Sequence, residues 1–368
     1  MALALLPALS HAGNWDHNGA FSTETSVQVD QSRWMARLSD GVRLSALSLP
    51  GTHDSAAHNA GTYNGIPVAR DIVRTQSLTI QRQLEAGIRV LDIRNRHVGN
   101  KFYLHHGPVF LHQTFDEVLQ QVTRFLAANP SETVLMRVKQ EETPNGLTRH
   151  FEATFEEYVN KFLPYLWQPT SQNPTLGETR GKIVILQNFP GDRLWGLNYY
   201  KFKIQDDFQL SSPWGLHGKW ENVKNHLNSA RASSGNEFFV NYLSAASGAQ
   251  PFFVAGGRMW ANTYAPHAPT GLTTPAFNGW YPDFPRDACF LWFCTIYFQG
   301  TNSLSSAYIQ GQGYPFVGIV MADFPGSQLI ENVIRANRQV QAPASHTDFT
   351  GEVVKAHGEG TTMTYFIR

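Results

Sequence analysis

The sequence predicts one large α/β domain, a TIM-type (β/α)8 barrel, on three observations. Strand-like runs alternate with amphipathic helical runs through most of its 368 residues. Hydrophobic residues make up 42% of the chain, which is enough for a large core. Charged residues end many of the predicted strands, and a barrel brings these ends to one mouth, whereas a doubly wound sheet spreads them along a crevice. A barrel is therefore favoured over an open sheet.

Hydrophobic periodicity defines the predicted elements. In the run TFDEVLQQVTRFLAANP, apolar positions recur at helical spacing between an N-cap at Thr114 and a stop at Pro130. The predicted strands are 43–55, 88–96, 101–108, 131–141, 181–190, 201–210, 237–245, 288–298 and 316–326. The predicted helices are 70–86, 114–130, 148–162, 213–232 and 327–340.

Three segments fall outside this alternation. Residues 1–12 resemble the apolar part of a signal peptide, so we exclude them from the barrel, which we expect over 13–342, and we expect a secreted protein. The segment 246–286 is rich in Gly, Pro and aromatic residues and predicts a long loop or excursion. The C-terminal extension 343–368 predicts at most an edge strand, at TTMTYFIR.

Composition excludes some functional classes. The chain has 29 basic and 29 acidic residues and no basic block, so we expect no nucleic-acid partner. Cys289 and Cys294 lie five residues apart in CFLWFC. On one strand they would point to opposite faces, which predicts two unpaired core thiols. No C-x-x-C redox or zinc motif is present.

Charged side chains at the strand ends indicate a polar site. Asp92 and Arg94 share one face of a strand, and Arg137 and Lys139 share one face of the next. Further along the chain, Asp206 and Phe208 share a strand face, and Asp323 ends the last predicted strand. Such charges are costly to bury unless they serve a ligand, and the arginines and lysine favour an anionic one.

Two histidines suggest acid–base chemistry. His53 follows the first predicted strand, and His106 ends the motif LHHGP, whose other histidine, His105, alternation places on the opposite face. One imidazole can take the proton from an attacking hydroxyl and the other can protonate the leaving oxygen, while Arg94 stabilises charge on a phosphoryl group. This set predicts cleavage of a phosphodiester by an internal hydroxyl. The remaining histidines are expected on the surface or in packing.

The series LSLPGTHDS, LDIRNR, LHHGPVFL, NPSETVLMRVKQE and LGETRGKIVILQ resembles the X domain of bacterial phosphatidylinositol-specific phospholipase C, in order and rough spacing. It covers about residues 30–210, and GIVMADFPGSQLIENVIRAN resembles the family's last strand and helix. The resemblance implies an imperfect TIM barrel. It also implies cleavage of phosphatidylinositol to diacylglycerol and inositol 1,2-cyclic phosphate.

By this resemblance, each site residue has an expected role. His53 matches the general base, His106 the general acid and Arg94 the arginine on the phosphate. Asp54 matches the aspartate that partners the acid, and Asp323 the aspartate that orients the base. The residues expected to bind the inositol are Lys139, Arg180, Asp206 and Phe208, with Asp92 as a further site carboxylate.

The resemblance also bears on metals and membranes. Arg94 stands where calcium-dependent relatives carry acidic ligands, so we expect a metal-independent enzyme without cofactors. Phe208 replaces a tyrosine that packs on the inositol ring, and the run 66–75 lacks the tryptophan that relatives insert into the bilayer. We expect membrane contact from the aromatic region 250–292, unless its aromatic side chains pack on the barrel instead. The aromatic residues considered there are Trp260, Tyr264, Trp280 and Tyr281.

Two other functions remain open at this point. A different barrel phosphodiesterase, of the glycerophosphodiesterase kind, would need acidic metal ligands near His53, and Arg94 argues against it. A non-catalytic inositol-lipid binding module would be expected to lose one histidine of the pair. Phosphatidylinositol in membranes is the expected partner, and no protein partner is indicated.

Overall fold

The computed structural model describes residues 19–233, 235–340, 356–358 and 361–363. The predicted signal-peptide segment 1–12 and most of the extension 343–368 lie outside the described residues.

The strands are β1 (Leu49–Thr52), β2 (Gly61–Tyr63), β3 (Ile66–Val68), β4 (Val90–Val98), β5 (Lys101–His106), β6 (Val109–Thr114), β7 (Val134–Gln140), β8 (Ile183–Asn188), β9 (Leu197–Asn198), β10 (Lys203–Gln205), β11 (Gln209–Leu210), β12 (Phe239–Tyr242), β13 (Ala246–Ser247), β14 (Pro269–Thr273), β15 (Arg286–Phe290), β16 (Phe293–Tyr297), β17 (Ile319–Ala322), β18 (Ala356–Gly358) and β19 (Thr361–Met363). The helices are α1 (Arg70–Val73), α2 (Ile80–Glu85), α3 (Phe115–Ala128), α4 (Phe151–Lys161), α5 (Leu176–Thr179), α6 (Leu216–Ala232), α7 (Pro251–Gly256), α8 (Thr301–Gln312) and α9 (Ser327–Arg335). Short 3-10 turns lie at Trp34–Arg37, Leu44–Ala46, Leu163–Tyr165, Tyr199–Lys201, Pro213–Gly215 and Arg338–Val340.

Parallel strands form the predicted barrel. They pair in the order β9-β8-β7-β4-β1-β17-β12-β10, and each of these pairs is parallel. Among the described residues no hydrogen-bonded pairing joins β9 to β10, so the barrel is open on that side. The antiparallel strands β5, β6, β2 and β3 extend the sheet from β4. β18 and β19 pair with each other.

The barrel strands are hydrophobic on both faces because one face fills the barrel and the other meets the helices. Leu49, Val90, Leu135, Val184 and Ile319 belong to one buried cluster that includes side chains from seven of the barrel strands. Two further clusters pack helices against the outside, one with α2, α3 and α4 and the other with α6, α8 and α9. This arrangement leaves only the ends of the barrel for polar side chains.

Helix α3 begins as predicted. The Thr114 hydroxyl accepts a hydrogen bond from the amide of Glu117, and the Glu117 carboxylate accepts one from the amide of Thr114, which forms a capping box. The predicted helix 70–86 is interrupted instead, because the chain is extended at Arg74 and Thr79 between α1 and α2. In this break Gln76 is buried and donates to carbonyls at the ends of β1 and β17.

The predicted strand 201–210 is also interrupted. Residues 206–208 are in no strand, so Asp206 and Phe208 do not share a strand face. The side chain of Gln205 explains the break, since its Oε1 accepts a hydrogen bond from the amide of Asp207 at 2.7 Å. A backbone amide that bonds to a nearby side chain does not bond to a neighbouring strand, so β10 ends there.

The prediction for Cys289 and Cys294 is wrong. The run 288–298 forms a hairpin of β15 and β16, and the two cysteines make a disulfide. The turn folds the second strand back, so both Cβ atoms come to neighbouring positions with the Cα atoms 4.0 Å apart. Cys289 is exposed, not buried in a core.

The segment 246–286 is more ordered than the predicted loop, because it contains β13, α7 and β14. Pro251 begins α7, and Gly257 ends it with a φ of +66°, which suits glycine. Trp260, Tyr264 and Trp280 are exposed, whereas Tyr281 is partly buried and packs against the ring of the buried Phe284. None of the described helices is both long enough and apolar enough to cross a bilayer.

Candidate active site

The candidate site lies at the carboxyl ends of the parallel barrel strands, where the sequence predicted it. The side chains linked there by contacts or by their charges are His53, Asp54, Asp92, Arg94, His106, Arg137, Lys139, Glu141, Asn188, Tyr242 and Asp323. They come from β1, β4, β5, β7, β8, β12, β17 and the residues that follow them.

His53 has the geometry of a general base. It directly follows β1, and its Nδ1 shares a hydrogen bond of 2.8 Å with Oδ1 of Asp323. With Nδ1 as the donor, Nε2 carries the lone pair that can accept a proton. Burial, reinforced by the positive charge of Arg94, lowers the pKa of His53 well below its usual range. The imidazole is therefore neutral at pH 7. Burial also raises the pKa of Asp323.

His106 faces His53 across the mouth. The two ring centroids lie 6.3 Å apart and the rings are nearly perpendicular, at 89°. The Nδ1–H of His106 donates to the carbonyl of Val73 at 2.7 Å, so its Nε2 is the nitrogen left for chemistry. Burial lowers the pKa of His106, while the Val73 carbonyl opposes that change. His105 is buried on the other side of β5, against Phe110, as the alternation of side chains predicted.

A buried ion network forms the floor of the site. Asp92 is fully buried and accepts from Arg94 Nε and Arg137 Nη1, each at 3.0 Å. Burial alone would raise the pKa of Asp92, but the two guanidinium groups outweigh it and hold that pKa well below its usual range. Asp92 is thus ionised in the folded protein. It fixes the position of Arg94, the guanidinium expected to contact phosphate.

Asp54 is the least satisfied group of the site. Its side chain is fully buried, and neither carboxyl oxygen has a hydrogen-bond partner among the described residues. Burial raises its pKa well above the usual range, and the charge of Arg94 opposes this only in part. Its φ of +38° is one that aspartate tolerates better than most residues. Burial therefore favours the protonated form of Asp54.

Glu141 is a site residue that the sequence reasoning missed. It lies just beyond β7, and its carboxylate accepts from Arg94 Nη1 at 3.2 Å and from Lys139 Nζ at 2.7 Å. Burial would raise the pKa of Glu141, but Arg94 and Lys139 lower it below the usual range. Glu141 follows Lys139 by two residues at a strand end, so the rule that selected Lys139 would also have found it.

Asn188 and Tyr242 were missed as well. The Asn188 side-chain oxygen accepts from Arg137 Nε at 2.9 Å and Nη2 at 2.7 Å, and Arg137 Nη1 donates to the Tyr242 hydroxyl at 2.9 Å. The Tyr242 ring also stands 6.0 Å from that of His53. Neutral residues such as these are hard to recognise as site residues in a sequence, because asparagine and tyrosine also occur at many positions that take no part in binding or catalysis.

The structure does not bring Arg180 to the site. Arg180 precedes β8 and therefore lies at the opposite end of the barrel from the histidines. Its guanidinium bonds to Asp40 Oδ1 at 2.6 Å and to the carbonyls of Leu38 and Met35 at 2.7 and 3.1 Å. The expected contact with inositol is therefore wrong. Asn188 occupies the carboxyl end of β8 instead.

Asp206 and Phe208 lie in the loop that follows β10, at the same end as the histidines, and both side chains are exposed. The carbonyl of Phe208 accepts a hydrogen bond from the amide of Ala246 at 2.7 Å, which joins this loop to the one that follows β12. Below them, Lys219 of α6 is buried and donates to Gln205 at 3.1 Å. Burial lowers the pKa of Lys219 to about 8, against the opposing charge of Asp206.

One group of potential metal ligands occurs in the part of the chain that the structure describes: His217, Glu221 and Asp283. The ammonium of Lys224 donates to Glu221 at 2.6 Å and to Asp283 at 2.8 Å. A cation already lies between these carboxylates, and no residue predicted to do chemistry belongs to the group.

A barrel whose mouth carries two histidines, a carboxylate-anchored arginine and a buried acid has the architecture of an acid–base enzyme for an anionic substrate. Comparison with known proteins agrees. The family model for phosphatidylinositol-specific phospholipase C, X domain, matches residues 47–189. The 1-phosphatidylinositol phosphodiesterase of Staphylococcus aureus is 30% identical over 266 residues, covering 65% of this chain and 82% of that protein.

The corresponding protein of Listeria monocytogenes is 28% identical over 325 residues, covering 84% of this chain and 86% of that protein. The solved structure of a phosphatidylinositol-specific phospholipase C from that organism superimposes with a TM-score of 0.60 at 27% identity, covering 84% of this chain and all of that one. This chain belongs to the phosphatidylinositol-specific phospholipase C X-domain family. The predicted family and the predicted barrel are both confirmed.

Proposed function

We propose that this protein cleaves phosphatidylinositol to diacylglycerol and inositol 1,2-cyclic phosphate. One observation carries the proposal: two partly buried histidines face each other, with ring centroids 6.3 Å apart, above an arginine that a buried aspartate holds in place. The relatives named 1-phosphatidylinositol phosphodiesterase support the same substrate. The reaction is a displacement at phosphorus by a hydroxyl of the substrate itself.

The proton transfers follow from the two histidines. Neutral His53 takes the proton of the inositol 2-hydroxyl through Nε2, and the hydroxyl oxygen attacks phosphorus. Asp323 stabilises the imidazolium that forms. The bond from phosphorus to the diacylglycerol oxygen breaks, and that oxygen receives a proton from His106. Each of these transfers typically contributes about 10²–10⁴ in rate.

His106 must be protonated to act as the acid, although burial lowers its pKa. A bound phosphodiester brings a negative charge next to the ring, which raises the pKa of His106 again. We assign Asp54, whose protonated form burial favours, to the leaving-group side together with His106. Arg94 stabilises the charge that develops on the phosphoryl oxygens.

Substrate recognition uses the remaining polar groups at the mouth. We assign Lys139, Asp206 and Phe208 to the inositol ring, with Phe208 as an apolar surface for one face of the ring. Glu141 accepts hydrogen bonds from both Arg94 and Lys139. The phosphate must therefore compete with Glu141 for the Arg94 guanidinium.

We propose that the reaction needs no metal ion. Arg94 lies against the fully buried Asp92, at the place where a cation would have to bind the phosphate. A guanidinium there repels a divalent cation and supplies the same charge stabilisation. EDTA added to an assay on phosphatidylinositol vesicles should leave the rate within twofold of the untreated rate. A loss of most activity that Ca²⁺ restores would contradict the proposal.

We further propose that the protein is secreted and meets its lipid substrate at a membrane surface. The exposed disulfide Cys289–Cys294 supports an oxidising compartment, since disulfides rarely persist in the cytosol. The apolar run at 1–12 supports export. Expression with a C-terminal tag should place the protein in the culture medium, and quantitative retention in the cytosol would contradict export.

Phosphorus NMR of the products tests the reaction. Wild-type protein should convert phosphatidylinositol to a five-membered cyclic phosphate, and His53→Ala and His106→Ala should each slow this by about 10²–10⁴. His150→Ala is the matched control, because His150 is exposed beside α4 and its side chain caps nothing. An acyclic phosphate monoester as first product would indicate a phosphodiesterase of the glycerophosphodiesterase kind. No turnover would indicate a binding module.

A further inference from the structure

The hairpin of β15 and β16 ends in a group of exposed apolar side chains. We call residues 290–293 the apolar tip; its side chains are Phe290, Leu291, Trp292 and Phe293, which are 75%, 71%, 65% and 48% exposed. Four consecutive large apolar residues in solvent are unfavourable in water, so such a group indicates a surface that something else covers. The disulfide Cys289–Cys294 joins the two residues that bound the tip.

The turn itself does not explain this sequence. Leu291 has a φ of +53°, a conformation that glycine or asparagine adopts easily and that a leucine adopts with strain. A two-residue hairpin turn would be more stable with one of those residues. Leucine at this position therefore points to a role for its side chain beyond forming the turn.

The hairpin is rooted at the active-site end of the barrel. Its segment leaves from the carboxyl end of β12, which carries Tyr242, and returns through α8 to β17, which Asp323 follows. β16 leads within three residues to Gly300, the N-cap of α8, at that same end. Phe298 packs its ring against those of Phe253 and Phe284, which anchors the base of the hairpin.

The tip carries no charge. Between Cys289 and Cys294 no side chain is ionisable. The nearest basic residue along the hairpin, Arg286, donates to the carbonyls of Tyr281 and Trp280, both at 2.6 Å, so its guanidinium is occupied within its own loop. A partner recognised through anionic groups would need free cations here. The tip therefore suits an apolar partner surface whose binding does not depend on charge.

We propose that the apolar tip inserts into the lipid bilayer beside the substrate, whatever the charge of the lipid headgroups, and that the Cys289–Cys294 disulfide holds the tip in the inserting shape. The inference rests on the proposed function, since an enzyme that cleaves a membrane lipid works with its mouth against the bilayer. Tryptophan and phenylalanine are suited to the boundary between headgroups and acyl chains. The disulfide closes a small ring, which keeps the four side chains from folding back onto the protein.

Binding to vesicles of pure phosphatidylcholine tests the tip without substrate turnover. Leu291→Asn removes the apolar side chain and suits the positive φ, so it does not strain the turn. We expect it to lower the vesicle partition coefficient about tenfold, from the lost transfer of one leucine into an apolar phase. Leu163→Asn is the matched control: Leu163 is 48% exposed in the turn that follows α4, at the other end of the barrel, and should leave binding unchanged.

Two further measurements test the shape and the charge independence. Replacing both Cys289 and Cys294 by serine should weaken vesicle binding several-fold while the side chains of the tip stay the same. Raising NaCl from about 0.1 to about 0.5 M screens exposed charges more strongly, and it should alter wild-type binding less than twofold. Equal binding by Leu291→Asn and wild type would overturn the proposal. A strong salt dependence would overturn its charge-independent form.

Hydrolysis of a short-chain phosphatidylinositol below its aggregation concentration separates this proposal from the proposed function. Leu291→Asn should match wild type there, because the tip serves the membrane and not the reaction. Absence of turnover by wild type would refute the proposed function, and the phosphatidylcholine measurement would still test the tip. The apolar tip could instead bind a second copy of the protein, and sedimentation velocity without lipid tests this. If wild type is a dimer and Leu291→Asn is a monomer, the tip is a dimer contact and the lipid assignment is overturned.

Discussion

The substitution Asp54→Asn tests the buried proton source directly. Asparagine has nearly the shape of aspartate and accepts the same positive φ, so the backbone at +38° should not change. The variant cannot ionise and cannot supply a proton. We expect turnover to fall by about 10² or more, by loss of a general-acid contribution.

The same substitution should also change how the free energy of unfolding depends on pH, in a direction that the pKa shift of Asp54 determines. The folded pKa of Asp54 is raised above its unfolded value, so between these two values the unfolded chain has lost a proton that the folded protein keeps. The free energy of unfolding of wild type then falls by about 1.4 kcal/mol for each pH unit gained in that window. Asp54→Asn removes this slope. The difference in unfolding free energy between variant and wild type should thus move in favour of the variant as the pH rises through that window.

Urea denaturation at pH 5, 6 and 7 measures this difference, and Asp92→Asn is the matched contrast. Asp92 is equally buried, but its guanidinium partners lower its pKa, so it is ionised in both folded and unfolded chains throughout this range. Its substitution should cost about 3–5 kcal/mol at every pH, because Arg94 and Arg137 lose a buried partner. A difference for Asp54→Asn that is constant with pH would refute the claim that Asp54 holds a proton.

Three other predictions concern single residues. Arg180→Met should leave kcat and KM within twofold of wild type. It should lower the free energy of unfolding by about 2–4 kcal/mol, because charged hydrogen bonds to Asp40 and to backbone carbonyls are lost. A large rise in KM would show that Arg180 does contact the substrate. Phe208→Ala should raise KM for a soluble inositol phosphodiester several-fold with little change in kcat, by loss of an apolar face for the ring; an unchanged KM would remove Phe208 from the site. The acid limb of the pH profile of kcat/KM should lie below pH 6.5, because burial lowers the pKa of His53 and the base must be neutral; an acid limb above pH 7 would contradict this.

Local patterns account for what could be predicted about the site. Asp92 and Arg94 are two residues apart on one strand, so a shared face follows from strand geometry alone. His53 and His106 stand in motifs that also define the family, and the structure brings their rings together. Asp206 and Phe208 were placed at the correct end but on a strand that does not form there, because a side chain of Gln205 ends it.

Long-range geometry accounts for what could not be predicted. Arg180 and Asn188 are eight residues apart around one strand, and only the direction of β8 in the barrel decides that the second reaches the site and the first does not. The disulfide between Cys289 and Cys294 depends on a chain reversal whose turn, Leu-Trp, carries none of the usual turn residues.

The sequence by itself therefore determined the family, the barrel and the two histidines, because these depend on periodicity and on short motifs. Only the tertiary structure decided which carboxylates favour the ionised form. Asp54 and Asp92 are the same residue type and equally buried, but only Asp92 bonds to a guanidinium from another strand, that of Arg137. That contact is absent from any local pattern, since it forms only when the strands close into a barrel.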